Sequence, residues 1–277
     1  MNDQPLTRRH CLGLLAGAAA TALPGCASRG TPPSTSATPP ATPDVGHSRL
    51  LGASPRRPGH DIAPFSASVA DGGLPAGWMP YRLRRDKPWT DYGTAHVHGR
   101  TVLRAQADRG ATGLRCPVDL DTRERTQLRF SWCTDHVPAR ADVGDGDLDD
   151  CPARIVVAFD GDLQRLSLRD QIFYEQVELF TGQILPYATL MYVWDRHQPS
   201  EALVSYARTQ RIRYLVVESG PGRCGEWLHY ERDLEADYRR AFGEHPGRVT
   251  SVGVLTDSDD LGEPVNTWYG DISLSAR

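Results

Sequence analysis

Short stretches in which apolar and polar residues alternate one by one govern what this chain can fold into. In Gln127 to Cys133, Leu128, Phe130 and Trp132 alternate with Gln127, Arg129, Ser131 and Cys133. Successive side chains of an extended chain point to opposite faces, so this segment reads as a strand with one face on a core. The same period marks Thr101 to Ala107, Gly113 to Leu120, Glu226 to Arg232, Val249 to Thr256 and Asn266 to Leu274. Arg154 to Phe159, Ala188 to Trp194 and Ile212 to Val217 are more continuously apolar, as central strands covered on both faces are. Nine such strands punctuated by Gly, Pro and Asp predict an all-β fold, a jelly-roll-like antiparallel β-sandwich, rather than a parallel α/β sheet.

Two segments follow the helical period instead. Ser167 and Asp170 form a capping pair ahead of Phe173, Val177 and Phe180, with Gly182 as the stop. Asp233 is the expected N-cap of a second helix carrying Leu234, Tyr238 and Phe242 and ending at Gly243. Both are expected to pack on the sandwich.

The N-terminus is an address. Residues 1–26 read as an export signal: a polar start ending in Arg8 and Arg9, an apolar run from Cys11 to Leu23, then Leu23-Pro24-Gly25-Cys26. The apolar run is about 13 residues, short of the roughly 20 that cross a bilayer as a helix. Arg8 and Arg9 resemble a twin-arginine motif, and Cys26 stands where the lipobox of a bacterial lipoprotein places its acylated cysteine. Plain cleavage near Ala27 is the alternative. Residues 27–48, nearly all Ser, Thr, Pro, Ala and Gly, form a tether that builds no core, and 49–277 form the domain. The expected product is an exported, lipid-anchored protein of the cell envelope, or a periplasmic one if the anchor is absent. Its 31 basic and 35 acidic residues give a net charge of −4 with no basic run, which argues against a nucleic-acid partner and leaves the acyl chain as the membrane contact.

Catalytic motifs do not stand out. The sequence contains no G-x-S-x-G, no H-E-x-x-H and no Gly-rich phosphate loop. His96 and His98 share one strand face by spacing but lack a third ligand. Cys116, Cys133, Cys151 and Cys224 are either free thiols or disulfides, with a Cys116 to Cys133 bridge disfavoured because the two fall on opposite kinds of face. Asp145, Asp147 and Asp149, in the loop from Asp142 to Asp150, could offer oxygens to calcium, although Asp150 and Val156 break the EF-hand pattern. A solvated connection between strands is the favoured reading of this loop. Trp194, Trp227, Trp268 and Tyr192 fall in predicted strands and are either core or a platform for sugar rings. Arg154 opens an otherwise apolar strand, so it requires a carboxylate partner; Asp150, Asp257 and Asp259 are the candidates.

Leu74-Pro75-Ala76-Gly77-Trp78, Phe130-Ser131-Trp132, Tyr192-Val193-Trp194, Gly225-Glu226-Trp227, Asp237-Tyr238, Thr256-Asp257-Ser258-Asp259 and Trp268-Tyr269-Gly270-Asp271 occur in an order that resembles domain of unknown function family 3047, found in exported bacterial proteins. Asp260 and Leu261 depart from it, since the family favours Asn then Thr there. The resemblance implies no reaction and no ligand. The sequence reading is therefore a lipoprotein whose sandwich binds a glycan or another envelope component at Asp150, Arg154, Trp194, Trp227, Asp257 and Asp259. The alternatives are a hydrolase of envelope polysaccharide using paired aspartates, and a structural lipoprotein without a ligand. Replacing Arg8 and Arg9 with Lys is expected to strand the precursor in the cytoplasm, and Cys26→Ala to release a soluble form. Unchanged detergent partition of the Cys26→Ala protein would contradict the anchor.

Overall fold

The computed structural model describes residues 59–82 and 86–277, so Arg8, Arg9, Cys26 and the tether lie outside the described residues. Two β-sheets face each other. The first, seven-stranded, runs β1 (Met79–Arg82), β4 (Ala111–Leu120), β11 (Val249–Asp257), β6 (Arg154–Phe159), β7 (Ala188–Asp195), β9 (Ile212–Ser219), β8 (Leu203–Ser205). The second runs β10 (Leu228–Asp233), β5 (Gln127–Thr134), β12 (Val265–Tyr269), β3 (Arg100–Ala107), β2 (Asp91–Val97), with β13 (Ser273–Ser275) also paired to β5. The β-sandwich expected from alternation is thus the architecture. Among the described strand pairs, β7 and β9 run parallel and the others antiparallel, and Gly59 makes a further isolated parallel bridge to Val118.

Alternation places the core. Leu128, Phe130 and Trp132 of β5 and Leu190, Tyr192 and Trp194 of β7 point into the space between the sheets and are buried. Aromatic pairs join the layers: Phe130 lies 5.6 Å from Tyr192 and Trp132 6.4 Å from Trp194, ring centroid to centroid. Such contacts add to the area buried by each ring. Trp78 closes one side of the core against Phe65, its indole donating to the Ala63 carbonyl at 2.8 Å.

Strands that alternation left unread have local reasons. β1 contains Pro80 and sits at a sheet edge, where a missing N–H is tolerated. The stretch expected as one strand from Asn266 to Leu274 breaks after Tyr269, where Gly270 donates to the Ser131 carbonyl, and resumes as β13. His98 is not a strand residue. It forms a two-residue turn with Gly99 between β2 and β3, at φ 49 and 77, and positive φ at both positions suits the twist of a hairpin.

Both helices form where their caps predicted. α1 (Leu168–Thr181) begins at Ser167, whose hydroxyl accepts from the Asp170 amide, and stops at Gly182 in the left-handed region. α2 (Leu234–Phe242) begins at Asp233, which accepts from the Ala236 amide, and stops at Gly243 at φ 73. Tyr238 of α2 packs its ring, tilted, against Phe159 with centroids 4.6 Å apart and closes the far end of the core. Cys116, Cys133, Cys151 and Cys224 are free thiols, with Cys116 on the core side of β4 beside Leu114 and Val118, as its alternation requires.

Phe130→Ala empties the layer between the sheets and is expected to destabilise the protein by about 3–5 kcal/mol. Denaturant unfolding checks it, and a loss within experimental error would show that Phe130 is not part of a packed inter-sheet core.

Candidate functional site

The larger sheet has a second face, and that face carries the polar chemistry. By strand parity Arg154 of β6, Asp257 of β11, Met191 of β7 and Tyr214 of β9 point away from the inter-sheet core. The register sets Leu255 opposite Arg154, Arg154 opposite Val193, and Met191 opposite Tyr214. α1 and the loop leading to β6 roof part of this face, leaving a cleft of about 500 Å³.

A buried guanidinium organises its polar end. Arg154 Nη1 donates to Asp257 Oδ2 at 2.5 Å, and Nη2 donates to Asp149 Oδ1 at 2.8 Å and to the Asp149 carbonyl at 2.6 Å. The Arg154 and Asp257 side chains are only 3% and 6% exposed. Tyr214 donates its hydroxyl to Asp149 Oδ2 at 2.6 Å, so both Asp149 oxygens are engaged. Three polar atoms of this neighbourhood are buried without a hydrogen-bond partner: Arg154 Nε, Asp257 Oδ1 and Tyr81 Oη. Tyr81 reaches the cluster because Gly113, its partner across β1 and β4, has no side chain. A Cβ there would come within 2.5 Å of the phenol oxygen.

Burial and charge pull in opposite directions on these groups. Burial lifts the Asp149 carboxyl to about 6, against the pull of Arg154. Asp257 is likewise raised by burial, with Arg154 opposing. Burial also raises the Tyr81 and Tyr214 phenols, which stay protonated and able to donate.

Only part of the expected constellation converges. Arg154 and Asp257 pair as anticipated. Asp150 does not join them, although it is wholly buried: its carboxylate accepts the Asp260 amide at 3.2 Å and the Leu261 amide at 2.6 Å. The residues that depart from the family pattern thus hold Asp150 through backbone, and Asp149, one place earlier, takes the role foreseen for Asp150. Asp259 lies on the rim beside Lys87, the only lysine in the chain, at 3.3 Å. Trp194 is not a platform, being fully buried between the sheets with its indole donating to the Gly220 carbonyl. Trp227 precedes β10 rather than lying in it, and the Arg100 guanidinium stands 5.7 Å over its ring, against the other sheet. The sequence reading missed Tyr81, Tyr214 and the α1 wall, and places Asp149 among the calcium-loop carboxylates rather than on Arg154.

The loop aspartates do not gather as a calcium site would require. Asp145 accepts the Asp147 amide and Asp149 turns inward to Arg154. Among the described residues, Asp150, Asp259 and Asp260 are the carboxylates that come close, with one oxygen of each within 4.8 Å of the others. The amide bonds to Asp150 and the Lys87 contact to Asp259 balance this group.

Fold and cleft together define a β-sandwich protein with a buried polar cluster opening on the outer face of one sheet. Residues 76–273 match the model of the protein family of unknown function DUF3047, and the chain belongs to that family. No curated protein matches in sequence. Among solved structures, the chain is similar to the K2 cleaved adhesin domain of Lys-gingipain, at 12% identity and TM-score 0.37, over 77% of this chain and 98% of that one. It is also similar to the K1 adhesin domain from Porphyromonas gingivalis W83, at 11% identity and TM-score 0.34, over 75% and 95%. A family 30 carbohydrate-binding module of a Clostridium thermocellum cellulosomal cellulase gives 12% and 0.32, over 80% and 95%. Likeness at this level says nothing about a ligand.

Because burial raises the Asp149 carboxyl, the native state holds a proton there that the unfolded chain has released. The Asp149 contribution to stability therefore falls as pH rises from about 4 to about 6. The stability of Asp149→Asn relative to the unsubstituted protein is expected to improve across that range, as measured by chemical unfolding at each pH. A difference that is flat or runs the other way would show Asp149 to be an ordinary ionised partner of Arg154.

Proposed function

We propose that this protein is an envelope-directed binding module and that its outer-face cleft takes a hydroxyl-rich ligand of the saccharide class. The observation that carries this reading is the set of unpartnered atoms around Arg154. A buried polar atom left unpaired costs about 1–3 kcal/mol, and Arg154 Nε, Asp257 Oδ1 and Tyr81 Oη are all in that state. Nε can only donate, a carboxylate oxygen can only accept, and a hydroxyl does both. Adjacent hydroxyls of a sugar supply that mixture. Tyr206, partly exposed, lines the same cleft and offers an aromatic face to a pyranose ring.

A hydrolytic role for the aspartates is the second reading, because Asp149 and Asp257 border one cleft and burial raises both. Against it, Arg154 and Tyr214 already engage both Asp149 oxygens, which holds that carboxyl as an acceptor within the cluster. The lipid anchor at Cys26 belongs to the same proposal, placing the module at a membrane surface through the tether.

Titration calorimetry of the full chain with neutral oligosaccharides such as maltohexaose and cellohexaose tests the reading. At least one is expected to bind, and Asp257→Asn to weaken it by about 10-fold or more, the range for a hydrogen bond to a charged group. Circular dichroism confirms that the variant is folded. Absence of binding across neutral hexasaccharides would contradict the proposal, and release of reducing ends by the unsubstituted protein but not the variant would establish the hydrolase.

A further inference from the structure

The cleft is not polar throughout. Away from Arg154 its walls are Phe173, Val177 and Phe180 of α1, Leu185 just after the helix, and Met191 and Ile212 on the sheet. The same helix is more apolar than its packing needs. Phe173, Tyr174 and Val177 cover its own small core, yet Leu168, Ile172 and Leu179 form a stripe at i, i+4 and i+11 that faces outward at 72%, 47% and 80% exposure. Phe180 and Ile184 are 72% and 71% exposed beside it. Phe180 lines the cleft and is also exposed, so the apolar wall reaches the protein surface there, with Gln176 one helical turn before it.

Charge restricts what can occupy the polar end. Asp147, Asp149, Asp257, Asp259 and Asp260 line the cleft, against Arg154 and Arg208. Arg208 lies over the Phe173 ring at 5.2 Å, at the apolar end. With Lys87 on Asp259 included, carboxyl groups still outnumber the cations around the Arg154 cluster, so a phosphate, sulfate or carboxylate head finds no net positive charge there. The unpartnered atoms there call for hydroxyls.

We infer that the ligand is an amphiphile with a neutral, hydroxylated head, a glycolipid by class: its head sits on Arg154 and Asp257, and its hydrocarbon tail runs past Phe173 and Met191 and leaves the cleft over Phe180. This rests on the saccharide reading of the same cleft and adds the tail.

The test compares maltose, n-octyl-β-maltoside and n-decyl-β-maltoside with the full chain by calorimetry below the critical micelle concentrations. Each buried methylene contributes about 0.8 kcal/mol, so decyl maltoside is expected to bind on the order of 10-fold more tightly than octyl maltoside, and maltose more weakly than either. Phe180→Gln alters an exposed side chain with a good helix former. It is expected to weaken decyl maltoside about 5-fold and leave maltose unchanged. Equal affinity for maltose and decyl maltoside would overturn the inference and leave the saccharide reading standing. Equal affinity for decyl maltoside and decyltrimethylammonium, insensitive to Asp257→Asn, would overturn both, because the tail alone would then bind. Phe180-dependent sedimentation with phosphatidylcholine vesicles, with no maltoside bound, would replace the inference by contact with a bilayer surface.

Discussion

One buried guanidinium, Arg154, ties together the parts on which the outer face depends. Through Asp257 it joins the first residue of β6 to the last residue of β11, and through Asp149 it fixes the loop that leads into β6. An unpaired charge at 3% exposure would be expensive, and breaking one side of such a pair typically costs about 3–5 kcal/mol. The loop must therefore close over the sheet, and Tyr214 completes the arrangement from β9. What these contacts do not do is saturate the cluster. The carboxylate oxygen of Asp257 that Arg154 leaves free, and the Arg154 Nε, remain buried without partners.

The sandwich supplies the frame for this, because its two faces do different work. The inward face of the seven-stranded sheet is bound to the second sheet by aromatic packing. Among the described residues, α1 and loops cover part of the outward face. Glycines make that cover close: at Gly113 the absent side chain lets the Tyr81 ring lie on the sheet. A cleft with a charged floor and an apolar wall follows from a strand whose first residue is Arg and whose neighbouring strands offer Met191 and Ile212 on the same face.

Much of the fold was legible because its signals are local. Strand alternation around Leu128, Phe130 and Trp132 and the caps at Ser167, Gly182, Asp233 and Gly243 each reflect short-range geometry, and the elements formed there. Arg154 announced itself as a cation in an apolar strand, and Asp257 as a partner at the end of another. The failures arose where geometry is not local. Asp149 and Asp150 are adjacent in an irregular loop, where no period says which side chain turns inward. Trp194 shares parity with Leu190 and Tyr192, so its inward direction is readable from the sequence. Tyr81 lies on an edge strand interrupted by Pro80. The Phe173 and Phe180 wall required knowing which sheet face α1 covers, which the helix's own sequence does not contain.

The central claim is that the unpartnered atoms of the Arg154 cluster receive the ligand. The Nε–H of a buried arginine can be followed by nuclear magnetic resonance, and Arg154→Lys identifies its signal. On saturation with decyl maltoside, or with whichever hexasaccharide binds, the Arg154 Nε–H resonance is expected to shift as it gains an acceptor. Saturable binding that leaves this resonance unmoved would contradict the account and place the ligand elsewhere on the protein.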